Sequence, residues 1–499
     1  MAEHHSGRDG DRCFQPSLGA RRGARQAMGV VSGTAIDTVL VRRLQLGDES
    51  GEMRRALSHF PWPTVAERIV ERYYIPGGKP VDRPFRLLPL PSANMARSRI
   101  ELLVAANFVE VFLAKDGHDG LVGINYLEKI QVPTLPSLLG AILGNVDVVL
   151  MGAGIPLSIP GALDRLARFE AAEIRHQVEQ TDALQSFSLR FDPGQYFEPK
   201  PLTLRRPAFL AIVSSHVIAK TLARKANGKV DGFVIEDHTA GGHNAPPRKA
   251  RHAEPQAGPA FGPADIPDLA AFRALGIPFW IAGSAASAAK LEGALLQGAA
   301  GVQLGSAFAF CEESGILPEL KRNVIAHSRA GGRGLRIVTD FEASPTGYPF
   351  KRLEYDADPQ HLQALRGRER VCDLGYLRRA YARDGGLAYR CPGEPTATYL
   401  MKGGQLDDTT HKLCLCNQLL ATIGLGQVRA SGNELPLLTA GEDLSQIVPF
   451  TELGSDSFTA ERVLNVITGR TSSETTDLRP GAGTARSGDR RPRLSSDMG

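Results

Sequence analysis

Apolar positions along this chain fall into two kinds of stretch that alternate. The first kind is short and almost continuously apolar, with glycine, serine or alanine in it or beside it: Gly29-Val30-Val31-Ser32-Gly33, Val122-Gly123-Ile124-Asn125, Val146–Met151, Phe209–Ser214, Gly232–Ile235, Pro278–Ala282 and Gly301–Leu304. Runs of this length and composition read as buried strands. The second kind is longer, with apolar residues every three or four positions. Glu101–Lys115, carrying Leu102, Leu103, Ala106, Val109 and Leu113, is an example, and 135–143, 217–226, 266–275, 286–298 and 312–328 follow it. That period predicts helices with one buried face. Gln15–Gly19 makes an eighth, first strand, although the eight residues Ala20–Ala27 are few for a crossover between parallel strands. Strands alternating with helices predict a parallel sheet covered by helices, and eight of them favour an α/β (β/α)8 barrel, a TIM barrel, over an open doubly wound sheet.

The pattern also marks where the barrel stops. Residues 15–345 carry the alternation, interrupted by an insertion at about 38–100 with charged helical stretches at Gly51–His59 and Val65–Tyr74 and a proline-rich passage from Pro76 to Pro91. Residues 346–470 lose it and are expected to form an accessory, mostly helical C-terminal region. Residues 1–14 and 471–499 are polar without periodicity and are expected to be disordered.

Composition narrows the function classes. A chain of 499 residues with 42% apolar content has material for more than one ordinary domain or for one large domain with insertions. The net charge of +4 comes with no basic, aromatic-interleaved face in the interior, so no nucleic-acid partner is expected. The start has no apolar signal-like core, and the apolar region Leu138–Leu163 is broken by Asn145, Asp147, Pro156 and Pro160, so no membrane association and a cytoplasmic location are expected. The six cysteines do not suggest a disulfide framework. Four of them, Cys372, Cys391, Cys414 and Cys416, lie in the C-terminal region, where C-x-C is tighter than the usual zinc chelate; they are read as buried free thiols and no metal is expected.

Chemistry concentrates at strand ends. The run Gly232–Ile235 leads into Glu236, Asp237 and a loop with Gly241, Gly242 and His243; the next two strands end in Gly283-Ser284 and Gly305-Ser306. In a barrel of this type ligands bind at the C-terminal strand ends, with phosphate commonly held after strands seven and eight. Three small-residue pairs in register there predict an anion cradle, against the alternative that each glycine only shapes a tight turn. His243 beside the cradle is a candidate general base, or else a histidine that bonds the loop or the phosphate. His118 precedes its strand and is a lesser candidate.

The stretches TAGGH at 239–243, IPFWIAGS at 277–284 and LLQGAAGVQLGSAFAFCEESG at 295–315 resemble the nitronate monooxygenase (2-nitropropane dioxygenase-like) family of FMN-dependent barrels, which includes the type II enoyl-ACP reductases. Weaker likeness reaches back to VVSGTAID and VGIN, so it spans roughly 26–345. The resemblance implies FMN as cofactor, its phosphate held by the loops of Gly241, Gly283 and Gly305, with Asn125 and Glu236 near the isoalloxazine and His243 as catalytic base. Family members usually carry glycine where this chain has Asp237 and Asn244, and a further glycine is replaced by Ser284. Three functions follow: oxidation of an alkyl nitronate with O2; NAD(P)H-dependent reduction of an enoyl thioester, for which the insertions and added C-terminal region leave room; or a barrel without catalysis whose C-terminal region docks a partner. A homo-oligomer is compatible with each.

Overall fold

The computed structural model describes residues 17–21, 24–180, 186–248, 260–356, 358, 360–442, 444–452 and 454–469. Both termini assigned to disorder therefore lie outside the described residues, as do Gln15 and Pro16 of the expected first strand. Eight strands close into a barrel. In chain order they are β1 (Ser17–Arg21), β2 (Ala24–Ser32), β3 (Val122–Leu127), β4 (Val148–Gly152), β5 (Ala208–Val213), β6 (Gly232–Glu236), β7 (Phe279–Ala282) and β8 (Gly301–Gln303). From β2 to β8 every neighbouring pair is parallel.

β1 departs from the expected order. It pairs antiparallel with β2, Ser17 opposite Met28, and antiparallel with β8, Ser17 opposite Gln303, so it closes the barrel as one arm of a hairpin. Two residues between Arg21 and Ala24 leave no length for a crossover helix, and a hairpin is what so short a link allows.

Alternation along the strands sorts side chains to two sides. Met28, Val30, Val148, Leu150, Leu210, Val234 and Ala282 fill the barrel interior. Val31, Val149, Phe209, Phe233 and Ile235 belong to the larger core between strands and outer helices. Helix Arg97–Ala114 is buried around most of its circumference because it is sandwiched between the insertion and helix Thr134–Leu143. Gly140 permits that contact, since a Cβ there would stand 2.2 Å from the Val104 carbonyl oxygen. Among the described residues no helix is long and apolar enough to cross a membrane.

The C-terminal region holds helices at Gln360–Gly367, Thr396–Met401, Leu415–Thr422 and Ala460–Thr468, but strands share it. Phe350–Tyr355 pairs antiparallel with Leu335–Asp340, and Arg379–Arg383 with Gly386–Arg390. The second ladder turns at Asp384-Gly385, with φ of 50° and 75°, the left-handed pair of a tight hairpin. Leu365, Leu374, Leu413, Leu420, Leu425 and Leu437 form a second core together with Phe350 and Ile130. The chain then returns: Leu438, Ala440, Ile447, Phe450, Val463 and Ile467 are part of the main core. A buried polar clamp ties the parts together, with the Tyr376 hydroxyl donating to Asp37 at 2.5 Å while Asp37 also pairs with buried Arg99.

Candidate active site at the barrel mouth

Strands β2 to β8 all run toward one end of the barrel, and a cavity of about 490 Å³ opens there. Ser32, Asn125, Gly152, Ile212, Glu236, Ala282 and Gln303, one from each of those strands, form its floor. The roof is the C-terminal region, through Phe350, Tyr376, Leu415, Leu419, Leu437 and the 439–441 segment. All nine residues singled out in the sequence line this one cavity: Asn125, Glu236, Gly241, Gly242, His243, Gly283, Ser284, Gly305 and Ser306. His118 is not among them. Its Nε2 bonds the Ala114 carbonyl and its Nδ1 accepts from the Gly120 N–H, so it closes the end of helix Arg97–Ala114.

The glycines differ in what makes them glycine. Gly242, with φ +80°, faces open space. Its N–H donates to the Thr439 hydroxyl at 2.9 Å, and its carbonyl accepts from the Lys351 N–H at 2.8 Å. A Cβ on Gly241 would stand 2.7 Å from the Ala440 carbonyl carbon, so its bareness serves the close approach of the 439–441 backbone. Gly283 combines φ +109° with the nearness of Asp237 and Thr239. The Ser306 hydroxyl accepts from the Gly441 N–H at 2.7 Å, a second stitch between roof and strand-end loops. The Gly242 N–H is thus already taken by the Thr439 hydroxyl, and Gly241 answers to packing.

Two titratable groups of the floor have displaced pKa values. Burial pushes the Glu236 carboxyl up to about 8, opposed by the Lys351 ammonium and reinforced by Asp237, so the acid is largely neutral at pH 7. Burial lowers His243 to about 4 and keeps its imidazole neutral. Its Nε2 shares a 2.8 Å hydrogen bond with the Ser344 hydroxyl, which also bonds Thr346, and its ring stands edge-on to Phe350. The Asn125 amide oxygen is shielded from solvent with no hydrogen-bond partner, a polar atom waiting at the cavity floor.

Asp237 and Asn244 do not intrude. Asp237 turns into a separate small recess with His238, Arg248 and Asp265, and its carboxylate accepts from the Thr239 N–H. Asn244 is buried and braces the loop, donating from its side chain to the Ala240 carbonyl at 3.1 Å and from its backbone to the Pro349 carbonyl at 3.0 Å. Ser344, Lys351, Tyr376 and Thr439 are the site residues that strand-end reasoning missed. The Lys351 side chain is fully buried, donating to Thr339 and to Glu442. Each lies over a hundred positions from the loop it supports, and no local pattern announces it.

Beside this cavity the structure gathers the four C-terminal cysteines. Cys372, Cys391, Cys414 and Cys416 line a second, small recess, and Leu377, Leu415 and Cys416 form a wall shared by both spaces. All four are free thiols. Among the described residues no three His, Cys, Asp or Glu side chains converge tightly enough to hold a single metal ion.

No family model matches the chain, and no curated protein matches it. Among solved structures, FabK from Thermotoga maritima is similar at 14% identity, over 75% of this chain and 83% of that one, with a TM-score of 0.40. Nitroalkane oxidase from Streptomyces ansochromogenes is similar at 16% identity, over 74% and 86%, with a TM-score of 0.39. The enoyl reductase domain of MlnA from Bacillus amyloliquefaciens is similar at 12% identity, over 76% and 85%, also with a TM-score of 0.39.

Proposed function

We propose that the chain is an FMN-dependent oxidoreductase that works at the barrel-mouth cavity, and that an alkyl nitronate oxidised with O2 is its substrate. The observation that supports this most is convergence: the loops after three consecutive strands, β6, β7 and β8, carry the motif residues onto one cavity at the C-terminal strand ends. The cavity's polar features suit FMN. The loops of Gly283-Ser284 and Gly305-Ser306 would hold its phosphate, and Asn125, whose amide oxygen lacks a partner, would meet its ring system together with Glu236. When bound, FMN supplies the electron transfer, and the protein supplies position and electrostatics.

The residues then divide the remaining work. Glu236, kept protonated, offers a hydrogen-bond donor where an ordinary carboxylate would only accept. His243 stays neutral far below neutrality and is held by Ser344, so at neutral pH it is an uncharged hydrogen-bonding partner that takes up a proton only weakly. A base with a pKa of about 4 draws a proton only weakly from a neutral nitroalkane, and a nitronate, already ionised, needs no such step. The apolar roof screens the reacting centre from water.

One observation favours a second reading. The roof presents Leu377, Leu415, Leu419, Leu420, Ile423 and Leu437 to the cavity, an apolar lining suited to an acyl chain. On that reading the substrate is an enoyl thioester and the electron donor NAD(P)H.

The test is purification followed by an absorption spectrum and identification of any chromophore released on denaturation. FMN, or stoichiometric uptake of added FMN, is expected. Turnover of nitronate with O2, set against NADPH oxidation with an enoyl thioester, then assigns the substrate. A colourless protein that binds no added FMN rejects both.

A further inference from the structure

We propose that Cys372, Cys391, Cys414 and Cys416 are the ligands of an iron–sulfur cluster seated in the recess beside the barrel mouth. The four come from three separate stretches of the C-terminal region, yet they line a single small recess. Of the five cysteines described, only Cys311 lies elsewhere, its thiol donating to the Phe308 carbonyl. A fold that needed only apolar filling here would gain as much from leucine or valine, and the concentration of sulfur asks for another cause.

The arrangement argues against one metal ion. Cys414 and Cys416 flank a single residue, tighter than the paired ligands of structural zinc, and among the described residues no three such side chains are placed to hold one metal ion. Four thiolates around a gap are what a polynuclear cluster requires. Arg378 lines the recess, and the Asn417 amide donates toward the Cys414 sulfur at 3.5 Å, a contact that orients a ligating sulfur. Because Leu377, Leu415 and Cys416 also wall the large cavity, the cluster sits one layer of side chains from the site proposed for FMN. The assignment itself does not depend on FMN.

The experiment is anaerobic purification of the full chain with assay of iron, acid-labile sulfide, zinc and flavin, then reconstitution of metal-free protein with ferrous iron and sulfide. The expected result is about 4 iron and about 4 sulfide per chain with a broad visible charge-transfer band. Serine at any of the four positions removes the band, and Cys311→Ser leaves it. Zinc in place of iron and sulfide, protein that takes up neither, or disulfides among the four found by mass spectrometry overturns the proposal. Where a serine variant fails to fold by circular dichroism, iron and sulfide content and the electron paramagnetic resonance spectrum of the reduced native protein decide. Iron and sulfide without flavin would reject the proposed function alone, and flavin without iron would reject this inference alone.

Discussion

Glu236 and His243 pull the stability of the native state in opposite directions along the pH axis. The native Glu236 carboxyl keeps its proton up to about 8, whereas the unfolded chain releases it near the ordinary value of 4.5. The unfolded state therefore binds fewer protons between those values, and this group makes the fold less stable as pH rises through that window. Glu236→Gln is expected to melt higher than the native protein at pH 8, with the gap closing toward pH 4.5. A melting difference that does not change with pH would place the burden elsewhere. For His243 the sense reverses: the unfolded chain takes a proton below 6.5 that the native imidazole refuses until about 4, so stability falls as pH falls through that interval. At this scale the sequence was informative where chemistry is local. Glycine, serine and histidine at strand ends all reach the cavity, because a barrel sends every strand end to one face. It was silent on Ser344, Lys351 and Thr439, whose roles exist only after distant segments meet.

Elements were legible in proportion to their periodicity. β2 to β8 were read near their true positions because buried parallel strands are short apolar runs bounded by glycine. β1 was located but not oriented, since orientation depends on the link that follows, and the hairpin at Asp384-Gly385 was missed although that dipeptide is itself a hairpin signal. The contact of the 439–441 segment with the β6 loop gives a sharp test. Gly241→Ala forces a Cβ against the Ala440 backbone, which has little freedom to yield, and should cost about 1–3 kcal/mol in urea denaturation. It should also open the chain near residue 440 to proteolysis. Unchanged stability and protease resistance would mean that the segment does not lie on the loop.

For the molecule as a whole, the division into barrel and C-terminal region describes the sequence pattern better than the packing. The last helix, Ala460–Thr468, packs into the main core, and Tyr376 reaches Asp37 across the junction. Arg99→Met, which leaves the buried Asp37 carboxylate without its ion-pair partner, is expected to destabilise the whole chain by about 3–5 kcal/mol, read as one cooperative transition. Two separate transitions, with only one displaced, would show independent units. The clasp of Ala440 and Gly441 on the β6 loop also has a consequence for biosynthesis. At ribosomal speeds of ~5–20 residues per second, roughly 10–40 s separate the emergence of Gly241 from that of the segment that covers it. From the emergence of β8 to the end of that interval the nascent barrel presents an uncovered apolar mouth, so a holdase chaperone, or slow translation downstream of residue 345, would govern how much of the protein matures without aggregating.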